Sequence, residues 1–268
     1  MQDLHIHTCY DDGHDPVIDM ARQALINGFD SVGICVHSPI PGEAWCATEE
    51  GMQNFIRDVR AAAEELKGQI PVYCGIELDS LSVVDRSHFD YVIGSVHVKK
   101  TPNGTWYYDD TREGLLKMVD VEFGGDRDQA MEDYFSRVAA LAEDPDVDVV
   151  GHFDLPTKFN ERPDPLFDES SKRYFDAAVA AMERLVNAEK IFEINTGAVS
   201  RGYRTGYYPS PRLLSALKDM DGRICISSDS HNVTTLGFER EKARALALQT
   251  GFSSVWEYNG ETFKEVRL

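Results

Sequence analysis

His5 and His7 stand two apart in DLHIHT. On an extended chain the two-residue side-chain period puts both imidazoles on one face, where they can share a metal ion. One such pair is a weak signal. The arrangement recurs at the far end of the sequence, where Asp229 and His231 stand two apart in SDSH, directly after the apolar run RICISS. Single ligand-type residues then mark the ends of other apolar runs: His37 after SVGICV, Glu77 within CGIEL, His97 closing VIGSVH and His152 closing VDVVGH. Six of the eight histidines therefore occupy predicted strand ends. Imidazole with carboxylate suits Zn, Mn or Fe, and a carboxylate such as Glu77 can bridge two ions. The other two histidines lie in loops. His88 reads as a solvated residue, whereas His14, in DDGHD, competes with Asp12 for a metal position.

Distant residues meet only if the elements carrying them converge. Short β-branched runs alternate with longer segments of helical period, the pattern of repeated βα units around a parallel sheet. Strands are predicted over 3–7, 31–36, 71–78, 91–97, 147–153, 191–196 and 223–229, and helices over 16–28, 49–67, 128–143, 168–188, 210–219 and 239–249. Gly28, Gly68 and Gly251 are placed as helix stops. In a parallel barrel all strand ends lie on one rim, so the ligand residues would face a single pocket. The stretches 98–127 and 154–165 lack a clear strand and follow strand ends, where barrel enzymes keep active-site loops. With no internal repeat, low-complexity tract or linker, residues 1–268 read as one domain.

Composition narrows the partners. The chain has 268 residues, 42% hydrophobic and 27% charged, ordinary for a globular protein with a sizeable core. A formal net charge of -19 repels duplex nucleic acid and anionic lipid at long range. A small anionic substrate stays compatible, because bound cations reverse the local field. Five cysteines without CxxC spacing give neither a disulfide framework nor a zinc ribbon, so a reducing, cytoplasmic setting is expected. No signal peptide, membrane anchor or membrane span is expected.

HIHT followed by DDG, then VHSP, GIE, GSVH, GHFD, EINT and SDSH, in this order and at these intervals, resembles the polymerase and histidinol phosphatase (PHP) family, most of all its histidinol-phosphate phosphatases. The resemblance runs from Asp3 to about His231. It implies a distorted (β/α)7 barrel of PHP type and a site for two or three divalent ions. By motif, His5, His7, Glu77 and Asp229 would hold one ion. Glu77 would bridge to a second held by His97 and His152. Asp12, His37 and His231 would hold the third, Asp12 being preferred to His14 because CYDDG aligns with the family's SDG-like turn. One departure stands out: the second motif usually reads Asp-His, whereas here Val36 precedes His37. A bracing carboxylate is missing there, which weakens the expected hold on the third ion.

The activity so implied is phosphate monoester hydrolysis, of L-histidinol phosphate in histidine biosynthesis. The cations would orient the phosphate and generate the attacking hydroxide. Asp229, His231 and Arg201 would stand at the reacting centre, with Asp229 or a water protonating the leaving alkoxide. Arg201 matches the family's phosphate-binding arginine. Arg204 and Lys158 are further candidate anion contacts. Asn195 and Thr196 end a strand and could touch substrate or orient a ligand, and Trp106, Tyr107 and Tyr108 could cover a flat group such as imidazole. Three rivals remain. A nucleotide or oligonucleotide phosphoesterase would show extra cations and stacking rings leading away from the metals. A metal-dependent amide hydrolase would lack the Arg201 contact, and a non-catalytic, metal-stabilised interaction module would have lost ligands.

Overall fold

The computed structural model describes residues 1–161 and 164–268, and its seven main strands all run parallel in sequence order. They are Gln2–Asp3, Ser31–Ile34, Val72–Asp79, Tyr91–Ser95, Val149–Val150, Ile191–Asn195 and Arg223–Ser227, hereafter the first to seventh strands. Ile6 pairs in parallel with Ser230, and His7 N–H donates to Ser230 O at 2.8 Å, so the last strand meets the first in a nearly closed barrel. The fold is the distorted (β/α)7 barrel that the sequence implies.

Most strands end a residue or two short of the expected ranges, and the first and fifth are cut to two residues each, for local reasons. In the first, the Asp3 carboxylate takes up the N–H groups of His5 and Ser228, each at 3.2 Å, in place of ladder carbonyls. In the fifth, pairing continues through Gly151 N–H to Gly94 O at 3.0 Å, then His152 turns the chain away at φ 20°.

The six expected helices are present as Val17–Ile26, Glu49–Glu65, Arg127–Ala139, Lys172–Asn187, Pro211–Asp219 and Arg240–Thr250. Gly28, Gly68 and Gly251 follow their helices at positive φ, as stop residues do. Thr48 and Asp126 cap two of the helices by accepting from Gly51 N–H at 2.9 Å and Gln129 N–H at 3.0 Å. Phe55 and Met20 on one side, and Phe135, Tyr174 and Leu213 on the other, fill the layer between strands and helices. Among the described residues no helix is long and apolar enough to cross a membrane.

Besides a single helical turn at Gly197–Ser200, three larger elements were not anticipated. A hairpin, Val98–Thr101 with Gly104–Tyr107, and a helix, Arg112–Phe123, occupy the stretch read as irregular. A second hairpin, Ser254–Tyr258 with Phe263–Arg267, ends the chain. Residues 155–159 of the other irregular stretch form a 3-10 turn, and its positions 162 and 163 lie outside the described residues.

The barrel interior is divided. Its lower half is apolar, with Leu4, Tyr91, Ile93, Val149, Ile191 and Cys225 in contact, and Trp256, Tyr258 and Phe263 of the C-terminal hairpin packed beneath them. Tyr91 crosses the axis to donate to Leu4 O at 2.5 Å. Gly33 and Gly75 make this possible, since a Cβ at either would collide with its ring. Above this plug the interior turns polar: Asp3, His5, Glu77, Ser95, Glu193 and Ser227 are all buried. A dry floor beneath a ring of ligand-type groups is the frame of the site.

Candidate metal centre

Every ligand-type residue singled out at a strand end reaches the same rim. His5 and His7 follow the first strand, Glu77 lies in the third, and His37, His97 and His152 follow the second, fourth and fifth. Asp229 and His231 follow the seventh.

Glu77 is the hub. Its Oε2 stands 3.2 Å from His5 Nε2, 3.3 Å from His7 Nε2 and 3.0 Å from His37 Nδ1. Its Oε1 stands 2.9 Å from His152 Nε2 and 3.3 Å from His97 Nε2. Asp229 Oδ1 lies 3.9 Å from both His5 and His7 Nε2. Asp12 Oδ1 lies 3.2 Å from His231 Nε2 and 3.6 Å from His37 Nε2, so the Asp12, His37 and His231 trio comes together, with His7 close enough to join it. His14 is exposed and His88 lies beside Asp85 at 3.9 Å, away from the cluster.

This donor set fits divalent ions. Glu77 Oε2 is buried and accepts no hydrogen bond, although three imidazoles surround it. His5 and His7 face each other through Nε2 atoms 3.1 Å apart, and so do His97 and His152. Two ring nitrogens at that separation either share one proton or turn both lone pairs toward a cation. Imidazole and carboxylate, with Cys35 Sγ 4.0 Å from His7 Nε2, suit Zn, Mn or Fe.

Backbone strain helps to aim the ligands. Asp229 adopts φ 49°, a left-handed conformation that aspartate tolerates better than most residues. The outer faces of the rings are braced by carboxylates that sequence reasoning missed. Glu193 Oε2 lies 2.9 Å from His5 Nδ1 and Asp11 Oδ2 2.7 Å from His7 Nδ1, while Asp79 Oδ2 accepts from the His97 backbone N–H at 2.8 Å. Such ring partners fix which nitrogen carries the proton, leaving the other for the metal.

Burial disfavours charge on these groups, but their neighbours outweigh it. Glu193, Glu77 and Asp229 hold His5 well above its ordinary 6.5, and Glu77 with Asp79 does the same for His97. Glu77 is correspondingly held well below the usual carboxylate range by His5, His37 and His97, and Asp229 by Arg201, His5 and His231. Rings protonated at neutral pH without metal must lose their protons to bind it, so metal binding releases protons and weakens as pH falls. Titration calorimetry of chelator-stripped protein with Zn at pH 7, in buffers of different ionisation enthalpy, is expected to show net proton release. A buffer-independent heat contradicts this reading.

Beside the cluster lies a cavity of about 580 Å³. Arg201 and Lys158 line it, as expected. Arg201 Nη2 lies 3.0 Å from Asp229 Oδ2, and its Nη1 3.1 Å from His231 Nδ1. Lys158 Nζ donates to Asp109 O at 2.7 Å and sits 4.7 Å above the Tyr203 ring.

Three expected substrate contacts point elsewhere. Arg204 is buried over Tyr208, bonded to Thr157 and flanked by Glu161 and Glu169. Asn195 is buried and donates to Glu193 and to Asp229 at 2.8 and 3.2 Å, which makes it an orienting group. Trp106 turns its Nε1 to Glu122 at 2.8 Å on the outer side of its hairpin. The rings that do line the cavity are Trp45, Tyr107 and Tyr203, with Glu43, Asp109 and Asp110 among them.

The geometry agrees with what the chain resembles. A "Probable histidinol-phosphatase" of Deinococcus radiodurans is 27% identical over 252 residues, 88% of each chain. The "Histidinol-phosphatase" of Bacillus subtilis is 22% identical over 90% of this chain and 97% of its own. Among solved structures, the histidinol phosphate phosphatase of Lactococcus lactis, complexed with Zn, L-histidinol and phosphate, superposes with a TM-score of 0.75 at 19% identity, covering 98% of both chains. The PHP domain profile matches residues 3–197. That match takes in the first six strands and stops before Asp229 and His231, which the barrel nonetheless brings to the same rim, and the chain belongs to the PHP domain family.

Proposed function

We propose that this chain is a metal-dependent phosphomonoesterase that hydrolyses L-histidinol phosphate to L-histidinol and phosphate. The carrying observation is the joint placement of five imidazoles around the Glu77 carboxylate with Arg201 on the adjoining cavity wall. Ions bound by the cluster supply charge neutralisation at the phosphate oxygens and acidify a water nucleophile. The protein's own groups do the rest. Arg201 offers two donors to a phosphate oxygen pair. Asp229 is kept ionised by Arg201, His5 and His231, and so serves as a ligand and as the anchor of Arg201; the proton for the leaving alkoxide comes from water. Asn195 and Glu193 hold the ligands in place from behind.

The outer wall of the cavity argues for the substrate. L-histidinol phosphate carries an ammonium and an imidazole besides its phosphate. Glu43, Asp109 and Asp110 line the cavity beside the cluster, and Lys158 is tied to Asp109. A wall of that sign suits a cationic substrate tail and repels the further phosphates of an oligonucleotide. Arg201 likewise disfavours an amide hydrolase, which has no anion to capture. Ligand-type residues stand at every motif position, unlike in a decayed binding module. The names of the curated relatives support the same substrate. We place the enzyme in the cytoplasm, where its five unpaired cysteines stay reduced.

The test is phosphate release by Zn- or Mn-loaded protein from L-histidinol phosphate beside a panel of other monoesters. A hydrogen bond to a charged group contributes about 1.5–3 kcal/mol, so kcat/KM is expected to exceed that for an uncharged aryl phosphate by roughly tenfold. Comparable rates across the panel would defeat the specific assignment while leaving phosphatase chemistry intact.

A further inference from the structure

The carboxylate that the sequence lacks at position 36 reaches His37 from another part of the chain. Val36 faces an apolar cluster with Ile6, Val17 and Met52. Asp11, whose side chain has no exposed surface, lies instead between the first and second strand ends. One oxygen, Oδ2, takes both His7 Nδ1, at 2.7 Å, and the backbone N–H of His37, at 2.9 Å. The other, Oδ1, takes Thr8 N–H at 3.1 Å.

We infer that Asp11 is the positioning residue of the metal position formed by Asp12, His37 and His231. Three consequences of its contacts support this. By accepting from His7 Nδ1, Asp11 fixes the tautomer that leaves Nε2 free to face the cluster. By holding His37 N–H, it locks the segment whose ring nitrogens face Glu77 and Asp12, at 3.0 and 3.6 Å. By fixing its own turn through Thr8, it sets the direction of the next side chain, Asp12, which lies 3.2 Å from His231. Asparagine cannot replace it. Its single oxygen can serve either the His7 and His37 side or the Thr8 side, and its amino group then opposes an N–H donor on the other.

The role rests on the metal reading above, and zinc binding separates the two. Zinc affinity and stoichiometry of the full-length protein are measured by chelator competition for wild type, Asp11→Asn and Asp11→Ser, with the circular dichroism melt of the metal-free forms. Both variants are expected to bind zinc 10- to 100-fold more weakly at the Asp12, His37 and His231 position and less tightly where His7 takes part, while the ion facing His97 and His152 keeps wild-type affinity and the metal-free protein stays folded with a modestly lower melt. Unaltered affinity for every ion in Asp11→Asn overturns the inference, and so does a uniform loss that reaches the ion facing His97 and His152, which marks a merely structural residue. Absence of zinc binding by the wild type overturns the metal reading and this role with it. A further measurement needs no variant: in 15N-histidine spectra of the zinc-loaded wild type, His7 is expected to carry its proton on Nδ1, and a proton on Nε2 refutes the assignment.

Discussion

Replacing His97 by Ala is expected to lower phosphate release by about three orders of magnitude or more while leaving the barrel folded. The two halves of this expectation rest on different parts of the molecule. The His97 ring lies above the barrel floor, 3.1 Å from His152 and 3.3 Å from Glu77 through Nε2, and edge-on to Trp45 with centroids 5.5 Å apart. None of the apolar clusters that hold strands to helices includes it. Truncation therefore costs stability on the scale of an ordinary substitution, about 1 kcal/mol, and less still in the metal-free form, where a ring pressed between burial and carboxylates is removed. On the proposed function, turnover depends on an ion that His97 and His152 would hold with Glu77. Its electrostatic contribution is several kcal/mol, which is a factor of about a thousand. Activity is read at saturating substrate and metal, with metal content and the thermal melt measured on the same preparation. Wild-type activity in a folded His97→Ala protein removes the residue from the metal site.

Why His97 could be found in the sequence, and Asp11 could not, is a matter of periodicity and base rate. A histidine closing a β-branched run is conspicuous among eight, and the parallel barrel places every such closure on one rim. Aspartate and glutamate number 46, so a bracing carboxylate stands out only once the fold shows which ring it faces. Glu193 could have been read from its strand, because with period two it shares a face with Asn195 and Ile191, and that face turns toward the axis. Asp11 could not, since its direction comes from a turn.

The misplaced substrate contacts fail for the same reason. Arg204 and Trp106 follow strand ends as Arg201 and Lys158 do, and nothing local distinguishes a loop side chain that turns into the cavity from one that turns into the helix layer. The hairpin bearing Trp106 did carry a signal that was passed over, the turn-forming run Pro102-Asn103-Gly104 between VKKT and TWY, with Pro102 and Asn103 as the loop. Its register then decides the aromatics: Tyr107, opposite Val98, turns to the cavity, and Trp106, opposite Lys99, turns away. The C-terminal hairpin was missed because its strands, SVWEY and FKEVR, mix charge with apolar residues, and one face of the pair packs beneath the barrel.

Arg201→Ala is expected to act on substrate capture, raising KM by roughly 10- to 100-fold with a smaller effect on kcat. Two charge-assisted hydrogen bonds to phosphate are lost, and about 1.5–3 kcal/mol for such contacts sets the range. The complication is that Arg201 also touches the metal site, with Nη2 3.0 Å from Asp229 Oδ2 and Nη1 donating to Asp229 O at 2.8 Å. Asp229 has other cationic company in His5 and His231, and bound cations at the cluster oppose its charge more strongly than a guanidinium does, so the ligand stays in place when the arginine is removed. Metal content is therefore expected to match wild type, and inorganic phosphate to inhibit the variant more weakly by a factor close to the change in KM. Arg201→Lys should restore only part of the loss, because an ammonium cannot offer the planar pair of donors. If metal content falls together with kcat while KM is unchanged, Arg201 acts through Asp229, and the phosphate contact must be sought at Lys158, which lines the same cavity beside Asp109.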